Sequence, residues 1–580
     1  MLNAFSISLT GSDDAGCQRA ARSLGQQGMA PAASLEWPGG RLQAWSNPVQ
    51  AEGGSTLVET AQGAACCVGP LWYRGLFGNE ALRRLIEEAD SPARIDESAL
   101  RGNFALFLRR GERAWLLNDA LGFVRIHAGG DGRFHSTSWL AARAYGGYSD
   151  IDEAAAIEYV LLGASHSDRT VARGVTTLEL GHGLDLATRR PWRRFEHGLG
   201  RGGPPPASLD AAVEHLAAHL HTVFGEVAAA FPGRTAAALS GGFDSRLVLA
   251  GLLAHGERPR LFVYGDEGSA DVRIARQVAQ AQGLPITVVD KDAGNRALPE
   301  PDREALVRSA LFLDGLPNDG IHDPGADRHT RLAQSAGGFV ALNGGGGEIF
   351  RNFFHLPEGR FRTRHIVEAF YRGFDARVFR RAGGLAAYRD GLAASMGRVV
   401  DIASATADGA ARALSRPETE LVYPLFRCHF WMGLNNGTAL RHGWFATPLV
   451  DLELVRAASV LPLAWKNAGA LEARLIAALH AGVASQPSSY GFRFADGPGP
   501  RARWAEWVHG RRPVALRPLI NAVRRRTTKA RPHPDFVARA RVLFPGEWRL
   551  DALLDLQRLP DDDAFARALS IEVVSRELAP

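Results

Sequence analysis

The sequence predicts an α/β protein, because apolar runs typical of buried strands alternate with helical segments in the C-terminal part of the chain. Strands and helices that alternate in this way form parallel sheets with right-handed crossovers. In order along the chain, the predicted strands are residues 235–239, 260–264, 285–290 and 338–342, and the predicted helices are 246–254 and 270 to about 282. Ligands of parallel sheets bind at the carboxyl ends of the strands, so Ser240, Gly265 and Asp290 lie at the expected binding edge.

A glycine- and proline-rich segment, residues 198–207, divides the chain into two predicted domains. Its glycines and three consecutive prolines cannot continue a helix or a central strand. Ser208, which follows, is a helix N-cap by residue type, and a helix is expected over about 211–230. The length of 580 residues also favours more than one domain. We therefore predict domains at 1–207 and 208–580.

The composition is typical of a globular protein in a reducing compartment. Hydrophobic residues make up 46% of the chain and charged residues 22%. The first residues do not resemble a signal peptide, and no apolar stretch approaches the roughly 20 residues needed to cross a bilayer. No cysteine pair has metal-ligand spacing; the cysteines are Cys17, Cys66, Cys67 and Cys428. We therefore expect a cytoplasmic protein with reduced thiols and no membrane partner.

Positive charge is concentrated in residues 501–531, where ten Lys or Arg residues accompany a single acidic residue, Glu506. The formal net charge of the whole chain is +5, so the remainder is mildly acidic. This basic segment could bind nucleic acid, form a solvated face, or bind an acidic peptide or a nucleotide phosphate. Because no recognised nucleic-acid-binding motif accompanies it, we expect no nucleic-acid partner.

The most specific motif follows the first predicted strand directly. It reads Ser240, Gly241, Gly242, Phe243, Asp244 and Ser245. A glycine-rich turn between a strand and a helix presents backbone N–H groups and a helix N-terminus to phosphate. Glycine tolerates positive φ and lets the backbone approach an anion, the serine hydroxyls can donate hydrogen bonds, and Asp244 offers an oxygen ligand for Mg²⁺. The alternative interpretation is a plain loop.

A second glycine cluster, Gly344 to Gly347, follows the predicted strand at 338–342 and precedes Glu348. Four consecutive glycines are costly in backbone entropy. A ligand that needs close approach of the backbone explains them better than a flexible loop does.

Together these motifs resemble the asparagine synthetase family of ATP pyrophosphatases, which cleave ATP between the α and β phosphates. The chain lacks the G-x-x-x-x-G-K-[ST] form of kinases and GTPases, so the resemblance implies adenylation rather than phosphoryl transfer. It implies ATP and Mg²⁺ as cofactors and a fold like that of the adenine nucleotide α-hydrolases. The family's G-x-G-[AS]-D segment supplies a second metal ligand beside Asp244, and Glu348 takes that position here. The nucleotide contacts that the resemblance implies are residues 240–245 with Val263, Gly265, Gly346 and Gly347.

Further stretches are similar to the family at 313–318, 447–452 and Tyr490-Gly491-Phe492. The last is similar to the family's K-x-G-F segment, although Ser489 stands in the lysine position. Tyr490, which we include among the catalytic candidates with Asp244 and Glu348, could act as a general base by residue type. His442 is a second candidate of that kind, and a packed core role is the alternative for both.

The N-terminal part resembles the layered α+β sandwich of the family's glutaminase domain, through residues 102–107, 118–122 and 178–183. The alternation of Phe104, Leu106 and Leu108 predicts strands there. A working glutaminase of this family has a cysteine directly after the initiator methionine, where the thiolate and the α-amine act together. Position 2 is Leu2, and the first cysteine, Cys17, is internal. We therefore expect no release of ammonia from glutamine.

A synthetase without its own ammonia must use another amine. β-Lactam and carbapenam synthetases close a small ring, whereas lasso peptide cyclases join a peptide's N-terminal amine to an Asp or Glu side chain. β-Lactam synthetases carry a tyrosine for proton abstraction where this chain has Gly345, which favours a lasso peptide cyclase. That resemblance implies a precursor peptide as substrate, and a leader peptidase and a leader-recognition protein as partners. A β-lactam-type synthetase, an amidotransferase that uses ammonia from elsewhere, and a non-catalytic scaffold stay open.

Overall fold

The computed structural model describes residues 1–48, 57–195, 198, 203–511, 517 and 531–578. Residues 512–516 and 518–530 of the basic segment lie outside the described residues, as do residues 199–202 of the predicted linker.

The N-terminal part is built from strands β1 to β15 and helices α1 to α4. The strands are β1 Ala4–Leu9, β2 Ala30–Trp37, β3 Gly40–Ser46, β4 Leu57–Glu59, β5 Gly63–Val68, β6 Leu71–Tyr73, β7 Leu76–Phe77, β8 Leu100–Gly102, β9 Ala105–Arg110, β10 Arg113–Asn118, β11 His127–Gly129, β12 Phe134–Ser136, β13 Val175–Thr177, β14 His182–Asp185 and β15 Arg190–Arg193. The helices are α1 Asp14–Gln26, α2 Gly78–Glu88, α3 Trp139–Gly146 and α4 Glu153–Leu162.

Two antiparallel sheets of this part pack face to face, with helices on their outer faces. Their strand orders within the described residues are β13-β11-β12-β1-β3-β2 and β15-β14-β10-β9-β5-β4. Ile7 of β1 and Phe107 of β9 share the buried cluster between the sheets. Leu106 and Leu108 of β9 point the opposite way and pack with α2, while α1 and α3 cover the other sheet. The period-two alternation predicted a strand correctly at β9, and this part of the chain combines antiparallel sheets with helices.

The C-terminal part contains strands β16 to β20 and helices α5 to α21. The strands are β16 Thr235–Ala238, β17 Arg260–Tyr264, β18 Ile286–Val289, β19 Val340–Leu342 and β20 Trp444–Ala446. The helices are α5 Leu209–Ala230, α6 Phe243–Ala254, α7 Ala270–Ala281, α8 Lys291–Arg296, α9 Arg303–Phe312, α10 Ala326–Ser335, α11 Thr363–Phe370, α12 Gly384–Ser404, α13 Arg416–Val422, α14 Gly433–Leu440, α15 Leu452–Ser459, α16 Leu463–Lys466, α17 Ala470–Leu479, α18 Ala481–Ala484, α19 Pro500–Arg511, α20 Pro534–Leu543 and α21 Asp562–Glu577, with a π-helix at Tyr423–Met432 between α13 and α14.

The strands β16 to β20 form a parallel sheet in the order β18-β17-β16-β19-β20. The α/β prediction is therefore confirmed, and β17 has the predicted bounds. β20 was not among the predicted strands, because its apolar run, Trp444–Ala446, is shorter than the run at 338–342 that predicted β19. β16 lies at the centre of the sheet, so the loop that leaves its carboxyl end opens at the middle of the binding edge.

The two parts of the chain are joined by buried contacts. One hydrophobic cluster runs continuously through both. The Asn3 side-chain amide donates to the Leu440 carbonyl at 3.0 Å, and the Thr447 amide donates to Asn103 at 2.8 Å. Ser208 caps α5 as expected, since its hydroxyl accepts from the Ala211 amide at 3.1 Å. The domain boundary near 207 stays a prediction. Among the described helices, none is both long enough and apolar enough to cross a membrane.

Candidate functional site

The first glycine motif forms the loop between β16 and α6, at the carboxyl edge of the parallel sheet. Helix α6 begins at Phe243 rather than at Arg246, because Gly242 is the N-cap residue, with extended backbone (φ −84°, ψ 175°). Asp244 and Ser245 therefore lie in the first helical turn. No side chain caps the N-terminus of α6. Its first amide groups are thus left for an anion, as at helix N-termini that bind phosphate.

Hydrogen bonds within the loop hold its hydroxyls and amides together. The Ser240 amide donates to Ser245 Oγ at 3.0 Å, and the two serine hydroxyls are themselves 3.0 Å apart. The Gly241 amide donates to the carboxylate of Asp271, on α7, at 3.1 Å. A carboxylate oxygen thus already accepts from the backbone of this loop, which is the interaction that a phosphate oxygen would make.

Close packing, and not a positive φ, explains the glycine at position 241. Neither Gly241 nor Gly242 is among the residues with positive φ, so that part of the expectation was wrong. A Cβ atom at Gly241 would lie 2.9 Å from both Asp271 Oδ1 and Ser489 Cβ. The Ser489 amide also donates to the Gly241 carbonyl at 3.0 Å. The segment that resembles the family's K-x-G-F motif therefore packs against the loop, with serine in the lysine position.

The second glycine cluster lies against the first turn of α6. A Cβ atom at Gly344 would be 2.9 Å from the carbonyl carbon of Asp244, and one at Gly347 would be 2.2 Å from Asp244 Oδ1. Gly346 has a φ of +95° and begins the 3₁₀ turn Gly347–Phe350. The glycines thus let two segments of this chain approach each other. We expected the backbone to approach a ligand at these glycines. In the structure it approaches the Asp244 carboxylate and the α6 backbone.

An arginine that the sequence analysis did not select lies at the centre of the site. Arg351 Nη2 donates to both carboxylate oxygens of Asp244 at 2.7 Å, and it lies 3.8 Å from Glu348 Oε1. Arg351 Nε lies 2.8 Å from Glu472 Oε2, on α17. Its guanidinium also lies 5.4 Å from the ring centroid of Phe243. Three carboxylates therefore surround one cation.

Glu472 is the second residue that sequence reasoning missed. Its side chain is 0% exposed, and neither carboxylate oxygen has an aligned hydrogen-bond donor. Burial, and then the neighbouring Asp244 carboxylate, raise the pKa of Glu472 well above its ordinary value. Burial also raises the pKa of Asp244, against the opposing effect of Arg351. Burial opposes the charge of Arg351, but the three carboxylates outweigh it and raise the pKa of the guanidinium. Pairs of carboxyl groups with perturbed pKa values are typical of functional sites.

Glu348 has a tyrosine partner, and this tyrosine lies outside the glycine segment in which β-lactam synthetases carry theirs. The Tyr423 hydroxyl, in the buried π-helix, donates to Glu348 Oε2. A Cβ atom at Gly345 would lie 2.4 Å from Met432 Cε, so a side chain there would require the Met432 side chain to move. Position 345 has no tyrosine, but the phenol of Tyr423 lies beside Glu348, the carboxylate predicted to bind metal.

Tyr490 and His442, the two candidate bases, have different surroundings. Tyr490 is 48% exposed, packs on Phe243 at 4.5 Å between ring centroids, and accepts a hydrogen bond from Arg351 Nη1 at 3.4 Å. Tyr490 is therefore at the site. His442 is buried and stacks on Phe312 at 3.7 Å, and burial lowers its pKa well below the ordinary value. Within the described residues, no hydrogen bond or ion pair joins His442 to the carboxylates of the site, so the packed core role fits it.

The remaining predicted nucleotide contacts lie at the edge of the sheet beside the loop. Val263 is buried in β17. Gly265 follows β17 with a φ of +131°, and its amide donates to the Val289 carbonyl at 3.1 Å.

Comparison with protein-family models finds no model that matches this chain, and comparison with curated proteins finds no match either.

The acidic cluster, formed by Asp244, Glu348 and Glu472, has the ligand chemistry that suits a hard divalent cation. Carboxylate oxygens are the ligands that Mg²⁺ prefers, the three carboxylates exceed the single guanidinium in charge, and the oxygens of Glu472 lack donors. Within the described residues, no group of three His, Cys, Asp or Glu side chains is already arranged to hold an ion. Asp244 faces Arg351 instead.

In the N-terminal part, Leu2 is buried in the core between the two sheets, so no thiol occupies the second position. Cys17 lies on α1, and burial raises the pKa of its thiol above the ordinary value. A thiol held protonated is a weak nucleophile. Its position in the helical layer is that of a packing residue.

Proposed function

We propose that this protein is an ATP-dependent, AMP-forming ligase that activates a carboxylate as an acyl-adenylate and passes it to an amine. The observation that carries the proposal is the juxtaposition at the centre of the sheet edge. There the uncapped N-terminus of α6 and the serine pair of its loop lie beside three carboxylates that share one arginine. Polyanion-binding and cation-binding groups meet at one place. This is what a nucleotide triphosphate with its metal requires.

The loop residues would hold the phosphates. Amide groups of the first turn of α6 and the hydroxyls of Ser240 and Ser245 are donors without charge, and they suit phosphate oxygens at close range. A phosphate oxygen would replace the Asp271 carboxylate as the acceptor for the Gly241 amide. Val263 and Gly265, which the resemblance implies as further nucleotide contacts, would meet the nucleotide beside this loop.

The carboxylates Asp244, Glu348 and Glu472 would hold Mg²⁺. When bound, the metal would neutralise phosphate charge and assist the departure of pyrophosphate. Arg351 would then be free to turn from Asp244 toward the phosphates or the acyl-phosphate oxygens, because its guanidinium is a bidentate anion donor. In this view Arg351 stabilises the acidic cluster until the metal arrives.

The product follows from which amine is available. With Leu2 in the core, the N-terminal part, which resembles a glutaminase sandwich, would not supply ammonia. The substrate we favour is therefore a precursor peptide whose own N-terminal amine attacks an adenylated Asp or Glu side chain, as in lasso peptide cyclases. The peptide would lose the elements of one water, while ATP yields AMP and pyrophosphate. A leader peptidase and a leader-recognition protein would prepare such a substrate. Holding the two ends together would supply much of the acceleration.

A β-lactam-type synthetase is a second candidate, and one observation favours it. The absence of tyrosine at Gly345 argued against that class, but Tyr423 donates to Glu348 and forms a phenol–carboxylate pair within the same cluster. Such a pair can take a proton from an attacking amine or amide. The size of the ring that the protein closes separates the two candidates.

Exchange of labelled pyrophosphate into ATP, with candidate peptides or small amino acids present, tests the proposal. Exchange that depends on the peptide and is lost in Asp244→Ala is the expected result, since Asp244 is predicted to hold metal. No exchange with any carboxylate substrate would leave a non-catalytic scaffold as the better account.

A further inference from the structure

Helix α19, Pro500–Arg511, exposes two tryptophans on its outer face. Trp504 is 68% exposed and Trp507 is 53% exposed. They are three residues apart and therefore share one side of the helix. Ala502 and Glu506 are less exposed and lie on the opposite side. Tryptophan is rarely left in solvent, and exposed apolar side chains that adjoin one another mark interaction sites.

The inner side of α19 is held by the segments that carry the acidic cluster. Glu506 Oε1 lies 3.0 Å from His355 Nδ1, four residues after Arg351. The helix packs against the turn Asn467–Gly469, which leads directly into α17 and Glu472. Asn467 in that turn accepts a hydrogen bond from the side chain of Asn352 at 3.2 Å. The outer face of α19 is therefore fixed close to the site.

The charge around the tryptophans is positive. Arg501, Arg503 and Arg511 are exposed and make no ion pair within the described part of the chain. The guanidinium of Arg511 lies over the Trp507 ring at 4.0 Å from its centroid. Because Glu506 is paired with His355, no acidic side chain of the helix offsets these arginines. An acidic ligand would be attracted to this face, and it would be repelled by the carboxylates of the site itself.

We propose that this outer face of α19, made by Trp504, Trp507 and the three exposed arginines, docks the substrate peptide through a segment that is rich in acidic and aromatic residues. The inference rests on the proposed function, since it assigns the substrate of that site to peptides of this chemistry. Aromatic side chains of the peptide stack on the tryptophans, and its carboxylates pair with the arginines. The docked segment is distinct from the carboxylate that is activated, so the face sets which peptide reaches the site.

Binding of a labelled peptide to the full chain tests the proposal without depending on catalysis. The probe is a short fluorescein-labelled peptide of alternating glutamate and phenylalanine, measured by anisotropy, with an alternating lysine and phenylalanine peptide for comparison. The double variant W504A/W507A should bind the acidic probe about 30-fold more weakly, the size that truncation of two tryptophan anchors gives. Val542→Ala, at an 80% exposed apolar position on α20, is the matched control and should bind as the wild type does.

The Asp244→Ala variant separates this inference from the proposed function. It should lose pyrophosphate exchange and keep its affinity for the acidic probe, because Asp244 is not on the docking face. If the wild type binds the probe but shows no pyrophosphate exchange, the proposed function is wrong and the docking face is still supported. Equal binding of the probe by the wild type and by W504A/W507A would overturn the inference. So would tighter binding of the lysine probe, or tryptophan-dependent sedimentation with phosphatidylglycerol vesicles in place of peptide binding.

Discussion

Replacing Arg351 by methionine tests whether one guanidinium holds the acidic cluster together. The change removes the cation from Asp244, Glu348 and Glu472 but keeps an unbranched side chain of similar length to pack on Phe243. Removing one partner of a buried ion pair typically destabilises by about 3–5 kcal/mol, because a charge is left uncompensated. Glu472 is fully buried, so that range applies here at pH 8.

The loss of stability should depend on pH in a defined direction. Burial raises the pKa of both Asp244 and Glu472, and without Arg351 both would rise further. A carboxyl group with a raised pKa in the folded state binds protons more tightly there. Its stabilising effect is full below the unfolded pKa of about 4, and it is lost as pH rises toward the folded pKa. The variant should therefore approach wild-type stability as pH falls from 8 toward 5.

Urea denaturation followed by tryptophan fluorescence at pH 8 and pH 5 measures the difference. Arg308→Met is the matched control, because Arg308 pairs with Glu304 on an exposed helix face and should change stability by less than about 1 kcal/mol. Mg²⁺ should stabilise Arg351→Met more than the wild type, since a bound ion stabilises the folded state by mass action. A variant as stable as the wild type at pH 8, or destabilised equally at both pH values, would show that Arg351 does not hold the buried carboxylates together.

Three further predictions concern single groups of the site and of the N-terminal part. Gly347→Ala should lower pyrophosphate exchange at least about tenfold, because its methyl group would lie 2.2 Å from Asp244 Oδ1. The control Gly391→Ala, in open space on α12, should leave exchange unchanged. Exchange at the wild-type rate by Gly347→Ala would show that Asp244 does not belong to the metal site. Tyr423→Phe should slow amide formation about 10²-fold or more while pyrophosphate exchange persists, since it removes only the hydroxyl that donates to Glu348. Equal losses in the two assays would show that Tyr423 only positions Glu348. The protein should release no glutamate from glutamine, as a coupled dehydrogenase assay would detect, and release that Cys17→Ala abolishes would contradict the account of the N-terminal part.

Local patterns in the sequence predicted much of the fold. Periodicity and glycine placement were enough for β17, for the helix after Ser208, and for the two loops that meet at Asp244. These features depend on neighbouring residues along the chain, so a single sequence contains them. The start of α6 was misplaced by three residues, because Phe243 and Asp244 were assigned to the turn.

The parts of the site that escaped prediction depend on contacts between distant segments. Glu472 shares a helical face with Leu475, Ile476 and Leu479, and a lone carboxylate on an apolar face was a usable signal of a buried functional group. Tyr423 offered no such signal, because its pairing with Glu348 is set by the π-helix and by a separation of 75 residues. Arg351 and Asp244 are far apart in the sequence, so only the folded structure shows that they are neighbours.

The product of a single incubation shows whether the protein is a ligase that cyclises a peptide. The purified protein is given ATP, Mg²⁺ and a processed peptide with a free N-terminus and an internal Asp or Glu, and the peptide mass and AMP are measured together. We expect one AMP for each peptide that loses the mass of one water, and no loss when the N-terminus is acetylated. Conversion of free ammonia and aspartate to asparagine, faster than any cyclisation, would rule out a peptide cyclase.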